Sequence, residues 1–299
     1  MKRIALVAVI LGLSALAVLG GEGTIVFQGG HGAKALGMGG AFTAIADDAT
    51  GALWNPAGLA HIQGLWVGGA TTSLFATEGF EGVGYQFASL GTTFQGYGVG
   101  LAWASATAGE LYSANMFLGS IAASFPLGEE LSLDIGVNIK YYMETIAEST
   151  ESAFGFDIGI LMPIGDSFTI GAAALDIATK IGEDTITPVY RVGAVGNFLD
   201  GAVKISSDVE MVNMELSALR LGMSIKLIEM LQLRAGAVVP GMDFDKTYFS
   251  LGAGLSIADL EIDAAYVLQD EPGESLILSA SYNFKELFAP KEEEAVGAE

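Results

Sequence analysis

Apolar residues alternate one by one with small or polar residues along most of the chain from Gly64 onward. Between 131 and 141 the odd positions are Leu131, Leu133, Ile135, Val137, Ile139 and Tyr141. The even ones are Ser132, Asp134, Gly136, Asn138 and Lys140. Between 249 and 257, Phe249, Leu251, Ala253, Leu255 and Ile257 alternate with Ser250, Gly252, Gly254 and Ser256. Successive side chains of a strand point to opposite faces, so each run predicts a strand with one apolar face. Fourteen such segments fit between 64 and 285, among them 79–89, 94–105, 130–144 and 152–163. Each can supply the ~9–11 residues that a tilted membrane strand needs.

A secreted β-sandwich also alternates, but it turns its second face to water and needs charge there. Charged residues are only 16% of this chain, and none occurs between Glu81 and Glu110, against about 25% in an average soluble chain. The mean hydropathy is +0.49. The 41 glycines exclude a helical bundle, because each costs ~1 kcal/mol against alanine inside a helix. With no cysteine there is no disulfide framework, thiol chemistry or Cys-ligated metal. A net charge of −22 with 13 Lys and Arg excludes nucleic acid as a partner, since phosphate binding needs clustered cations.

The connections have a parity. Those after even-numbered segments are tight, such as Pro163–Asp166 and Leu199–Gly201. Several after odd-numbered ones are longer and more acidic, as in Thr145–Glu151, Thr179–Thr185 and Pro240–Lys246. Short periplasmic turns and longer external loops are the pattern of outer-membrane barrels. Residues 1–21 combine Lys2 and Arg3 with an apolar run and small residues. They are expected to form a secretory signal peptide, cleaved after Ala17 or Gly20. The expected location is therefore the outer membrane of a diderm bacterium. Residues 286–299 are expected to form an acidic, disordered tail.

Residues 22–63 break the alternation. Asp47 and Asp48 can cap a short helix over 49–53, and Asn55-Pro56 ends it, because the residue before proline avoids the helical region. Gly37, Gly39 and Gly40 permit close backbone packing or positive φ. A compact apolar segment ahead of a barrel has the lumen in which to bury itself. The fold class predicted is therefore all-β, a 14-stranded antiparallel transmembrane β-barrel (64–285) with a helical or irregular N-terminal hatch (22–63) in the lumen. The run from Gly32 to Ala60, with Asn55-Pro56-Ala57, resembles the N-terminal signature of FadL-like outer-membrane transport proteins, closest to their PorV/PorQ branch.

That resemblance implies a plugged fourteen-stranded barrel that takes up fatty-acid-like hydrophobic molecules. For PorV-type members it implies instead a scaffold in protein secretion, with a secreted or periplasmic protein as partner. A closed structural barrel or porin is a third reading. Gating is expected to rest on Gly37, Gly39, Gly40, Phe42, Trp54, Asn55, Pro56 and Ala57. Gly96, Gly98 and Gly100 leave one strand without side chains at alternate positions, which can bend or open a wall. The resemblance implies lateral release near that strand.

Other motifs carry little chemistry. Gly30-His31-Gly32-Ala33-Lys34-Ala35 fits a loose dinucleotide pattern, but no βαβ unit follows. His31 and His61 have no indicated third metal ligand; they are expected to make polar contacts or a pH-sensitive latch. Asp243 and Asp245 lack EF-hand spacing, and no nucleophile-elbow G-x-S-x-G occurs. No enzyme activity and no cofactor are expected. The lumenal face is uneven: the first four strands and the seventh offer Gly, Ser, Thr, Ala and Gln. Other strands supply Asp134, Asn138, Lys140, Asp157, Arg191, Lys204, Asp208, Glu210, Arg220, Lys226, Arg234, Glu261 and Asp263. The charge-poor wall suits an apolar ligand and a packed hatch equally.

Overall fold

A computed structural model of the protein describes residues 31–48, 50–76, 83–109, 112–182, 184–269 and 273–285. The expected leader, residues 22–30 of the expected hatch and the expected tail lie outside them. The first strands are β1 (Leu65–Ala76), β2 (Val83–Phe94), β3 (Tyr97–Ala108), β4 (Tyr112–Pro126), β5 (Ser132–Ile146), β6 (Ser149–Ile164) and β7 (Phe168–Ile177). A small hairpin follows, β8 (Lys180–Ile181) with β9 (Asp184–Thr185). The wall resumes with β10 (Val189–Phe198), β11 (Val203–Val212), β12 (Glu215–Ile228), β13 (Leu231–Pro240), β14 (Tyr248–Ile257), β15 (Leu260–Leu268) and β16 (Glu274–Phe284). Fourteen antiparallel strands, all but β8 and β9, form one closed barrel, with β1 paired to β16. Closure removes the free edges that an open sheet would expose.

Period two becomes two faces. Ala102, Ala104, Ala106 and Ala108 of β3 are buried, while Leu101 beside them is 60% exposed; Phe154 and Leu251 are exposed to about the same degree on β6 and β14. Large side chains left uncovered around the whole wall have lipid as their matching solvent. Leu101→Arg is expected to cost ~2–4 kcal/mol, the charge penalty on a barrel's lipid face. Urea unfolding from lipid vesicles measures it, and a loss within ~0.5 kcal/mol, as for a neutral surface change, would mean that water covers that face.

Two connections differ from the sequence reading. The second and third strands lie nearer the C terminus than 79–89 and 94–105, because the chain turns at Gln95-Gly96, φ 52° and 83°. That is the left-handed pair of a type I′ hairpin. The acidic stretch Thr145–Glu151 is not a long loop: β5 runs to Ile146 and β6 starts at Ser149, with Ala147 at φ 55°. Alternation stops where both faces turn polar, yet pairing continues. The end carrying the β7–β10 and β13–β14 connections is the loop end; the other is the turn end.

The N-terminal segment crosses the lumen. Helix α1 (Ala33–Leu36) packs on β14, β15 and β16, and the 3-10 turn Pro56–His61 packs on β2 through β6. Helix α2 (Gly51–Trp54) starts two residues later than the expected 49–53. The Asp48 carboxylate accepts from Thr50 N at 2.8 Å and from Thr50 Oγ1 at 2.6 Å, so the chain turns there first. Asn55 is extended (φ −156°, ψ 108°) ahead of Pro56, and its Oδ1 accepts from Ala57 N at 3.1 Å. Pro56 then opens the 3-10 turn, where its missing N–H costs nothing.

Candidate functional site: the hatch and its glycine seat

The hatch meets the wall at glycines of seven strands, backbone to backbone at six of them and through the Asn55 side chain at Gly159. A Cβ on Gly98 (β3) would stand 2.2 Å from Leu59 O. On Gly136 (β5) it would lie 2.3 Å from Pro56 C, and on Gly159 (β6) 2.0 Å from Asn55 Oδ1. A Cβ would also stand 2.7 Å from Thr43 O on Gly171 (β7), 2.7 Å from Met38 O on Gly222 (β12) and 2.0 Å from Gly39 N on Gly236 (β13). On Gly252 (β14) it would lie 3.0 Å from Gly37 Cα. No side chain fits at the closest of these positions, so the lumenal glycines are a mould of the hatch. Alternation places glycine in the lumen but does not single these positions out, apart from Gly98.

The eight expected hatch residues span the lumen, from Gly37 against β14 to Pro56 and Ala57 against β5. Gly39 and Gly40 turn the chain at φ 66° and 72°. Gly39 N donates to Ser250 Oγ at 3.1 Å, and its carbonyl accepts from Arg220 at 3.2 Å. Phe42 and Trp54 are fully buried in a T-shaped pair at 6.0 Å. Trp54 Nε1 donates to His31 O at 3.0 Å, and the Arg191 guanidinium lies 5.0 Å over its ring. The Asn55 amide donates to Thr43 O (2.9 Å), Ile160 O (3.0 Å) and Ala172 O (3.4 Å), tying hatch to β6 and β7. Pro56 and Ala57 lie over Gly136.

The three expected gate glycines do not act alike. Gly96 is a turn residue, outside the strand wall, and a Cβ at that position would meet nothing within 4 Å. Gly98 and Gly100 instead seat Leu59, whose Cδ1 would lie 2.9 Å from a Cβ on Gly100. The β2–β3 and β3–β4 ladders run past both without a register shift.

On the opposite side the hatch meets charge. Asp208 Oδ2 accepts from Phe42 N at 3.0 Å and Thr43 N at 2.9 Å. Glu210 joins Arg191 (2.8 Å) and Arg220 (3.0 Å), and Arg234 joins Asp263 (2.6 Å). Lys140 bridges Asp157 (2.9 Å) and Asp176 (3.0 Å). Apart from Asp208, which binds the hatch backbone, these lumenal charges are paired within the wall. A cavity of about 110 Å³ near the turn end is lined by Lys34, Asp47, Lys204, Arg234, Glu261 and Asp263; a pocket for a drug-sized ligand is ~300–1,000 Å³. Among the described residues, no group of three His, Cys, Asp or Glu could hold a metal ion.

The charge-poor wall packs the hatch and also itself. Leu53, Leu59 and Ile62 of the hatch share one apolar cluster with Tyr85, Phe87, Met116, Leu118 and Tyr142 of the wall. Ile181 and Ile186, from the β8–β9 hairpin and the residue just after it, enter the same cluster. Sequence reading misses this, since 179–185 looks like a solvated acidic loop.

Two ionic latches involve hatch residues, which lie outside the membrane-spanning strands. Lys34 contacts Asp47 at 2.7 Å, and Asp47 also contacts Lys204 at 3.1 Å. Burial works against both charges, but the two cations hold the Asp47 carboxyl far below its usual range, and the carboxylates hold Lys34 above its own. Asp47 keeps 37% of its side chain exposed, so water screens these pairs. His61 Nε2 lies 2.6 Å from the fully buried Asp134 of β5. That hydrogen bond raises the imidazole above its ordinary value, against a smaller opposing effect of burial. A raised folded-state value means that the contribution is complete below about pH 6.5 and fades as pH climbs through the folded value. Hatch proteolysis should therefore speed up above neutral pH in the wild type and lose that dependence in His61→Ala. Equal pH profiles would remove His61 as the latch.

The class defined by these features is a closed membrane barrel whose lumen is filled by its own N-terminal segment. Solved structures of outer-membrane transport proteins share the fold. The Pseudomonas putida toluene transporter TodX superposes with a TM-score of 0.62 at 11% identity, over 86% of this chain and 98% of that one. The Ralstonia pickettii toluene transporter TbuX gives 0.61 at 12% identity, over 85% and 98%. A Pseudomonas aeruginosa FadL homologue gives 0.57 at 15% identity, again over 85% and 98%. At such identities the likeness is one of fold, and the fold is FadL-like. No family model matches the sequence, and no curated protein matches it.

Proposed function

We propose that the protein sits in an outer membrane and passes small hydrophobic molecules inward through the barrel when the hatch shifts. The observation that carries this is the apolar cluster of the charge-poor wall, which runs from the loop-end hairpin down to Leu53 and Leu59 of the hatch. It offers an apolar molecule a path of matching polarity as far as the hatch. Asn55, Pro56 and Ala57 are the gate in this reading, with Gly37, Gly39 and Gly40 as its hinges and Phe42 and Trp54 as its core. Lateral release would pass Gly98 and Gly100 after Leu59 withdraws. The neighbours TodX and TbuX, named as toluene transporters, support a hydrophobic cargo.

Uptake by a deletion strain, compared for a radiolabelled monoaromatic hydrocarbon and a long-chain fatty acid, tests it. Slower uptake of one or both, restored by the wild-type protein, is expected; unchanged uptake of both overturns it. A PorV/PorQ-like role as secretion scaffold is favoured by one feature: Met214 and Phe244, at loop-end tips, are each 70% exposed, as a partner surface would be.

A further inference from the structure

The inward positions of β7 are Gly171, Ala173 and Leu175, so alternation assigns Asp176 to the lipid face. Asp176 is fully buried instead. The β6–β7 ladder shifts register between Phe156 and Ile158, leaving two residues of β7 opposite Asp157. Asp176 and Ala178 are left-handed, at φ 58° and 57°. Such a bulge bends a strand and re-aims a side chain. Here it turns the chain off the wall into the lumen, where the β8–β9 hairpin follows.

The bulge is held by a chain of hydrogen bonds that ends on the hatch. Asp176 N donates to Asp157 Oδ1 at 2.8 Å, and the Asp176 carboxylate accepts from Lys140 at 3.0 Å and from Tyr142 OH at 2.6 Å. Asp157 Oδ2 accepts from Asn138 Nδ2 at 2.7 Å. The same amide donates to Ala52 O of α2 at 2.8 Å. Ser120 Oγ donates to Asn138 Oδ1 and fixes which way the amide faces. Asn138, Lys140, Asp157 and Asp176 are each at most 3% exposed. Buried charges cannot be parted without leaving one uncompensated, so moving Asp176 pulls on its partners rather than sliding past them.

We propose that the Asn138–Asp157–Asp176 chain couples the lumenal hairpin to helix α2, so that a hydrophobic molecule displacing the hairpin from the loop end loosens the hatch. The identity of that molecule rests on the transport reading; the coupling does not. The hairpin's hold is apolar, through Ile181 and Ile186, and an apolar molecule competes for the same cluster. The hatch end of the chain is Ala52, one residue before Leu53 and three before the gate at Asn55.

Hydrogen exchange of the whole protein in lipid nanodiscs tests this without any transport measurement. The reporters are Leu53 N and Asn55 N, bonded to Thr50 O and Gly51 O. Ile186→Asp unseats the hairpin and should speed exchange at both by about tenfold, with ladder amides of β14 and β15 unchanged. In an Asn138→Ala background the increment from Ile186→Asp should fall below about twofold. Asp157→Asn should cut the chain one link further on, and Ile181→Asn replaces Ile186→Asp if that variant does not insert. Unchanged exchange, or an equal increment with and without Asn138, overturns the coupling. Normal coupling in a strain without an uptake phenotype would instead count against the transport reading alone.

Discussion

A Gly98→Val barrel should insert and close, yet leak. Its new Cβ would stand 2.2 Å from the Leu59 carbonyl oxygen, well inside van der Waals contact. The β3 ladder on either side keeps its backbone bonds, so the hatch gives way rather than the wall. Overpacking of this kind costs ~1–3 kcal/mol, a shift of ~5–150-fold between seated and unseated hatch. Planar-bilayer conductance should rise from the closed wild-type level, and a heat-modifiable band on gels should show an intact barrel. Gly96→Asn is the control: with φ 83° and open space around it, asparagine is tolerated and no leak is expected. A closed Gly98→Val channel, or a leaking Gly96→Asn one, would refute the seat.

Asn55→Asp should release the hatch at the start of the same 3-10 turn, where it meets β6 and β7. The amide donates to three carbonyl oxygens and its Oδ1 accepts one backbone N–H. Aspartate retains the acceptor and puts a second oxygen where the donors stood, facing three carbonyls. Each buried group left unsatisfied costs ~1–3 kcal/mol, and the like-signed oxygens add repulsion. Conductance and protease cleavage of the hatch should exceed those of Asn55→Ala, which loses the bonds without the repulsion. Acid should partly reverse the aspartate phenotype, because a protonated carboxyl regains one donor. Equal behaviour of the two variants at neutral pH would show that the three carbonyl contacts do not hold the gate.

The reach of the sequence differs from residue to residue. Leu101 and Ala102 announce the lipid and lumen faces of β3, since alternation is local and needs no partner. Asn55-Pro56 announces a break, because the constraint acts between neighbours. Gly98 shows in sequence the property that matters, a missing side chain, but not its purpose, because what fills the space is Leu59, far off in sequence. Asp176 is unreadable in detail: an aspartate among apolar residues is a sign of trouble on a lipid face, but only the bulge opposite Asp157 turns it inward. The hairpin at 180–185 looks like solvent-exposed loop because its apolar anchors, Ile181 and Ile186, are too few to form a period.

By itself the sequence determined fourteen membrane strands, the apolar side of each, and a compact glycine-rich segment ahead of them. Each follows from chemistry within a few residues: alternation, the proline constraint, the absence of charge. The tertiary structure alone decided which wall glycines receive which hatch atoms, where the lumenal charges find partners, and that Asp176 ties hairpin to hatch. Those contacts join residues as far as 246 positions apart, as in Ala33 N donating to Ser279 Oγ. They exist only once β1 has met β16 and the closed wall fixes how far each strand stands from the segment inside it.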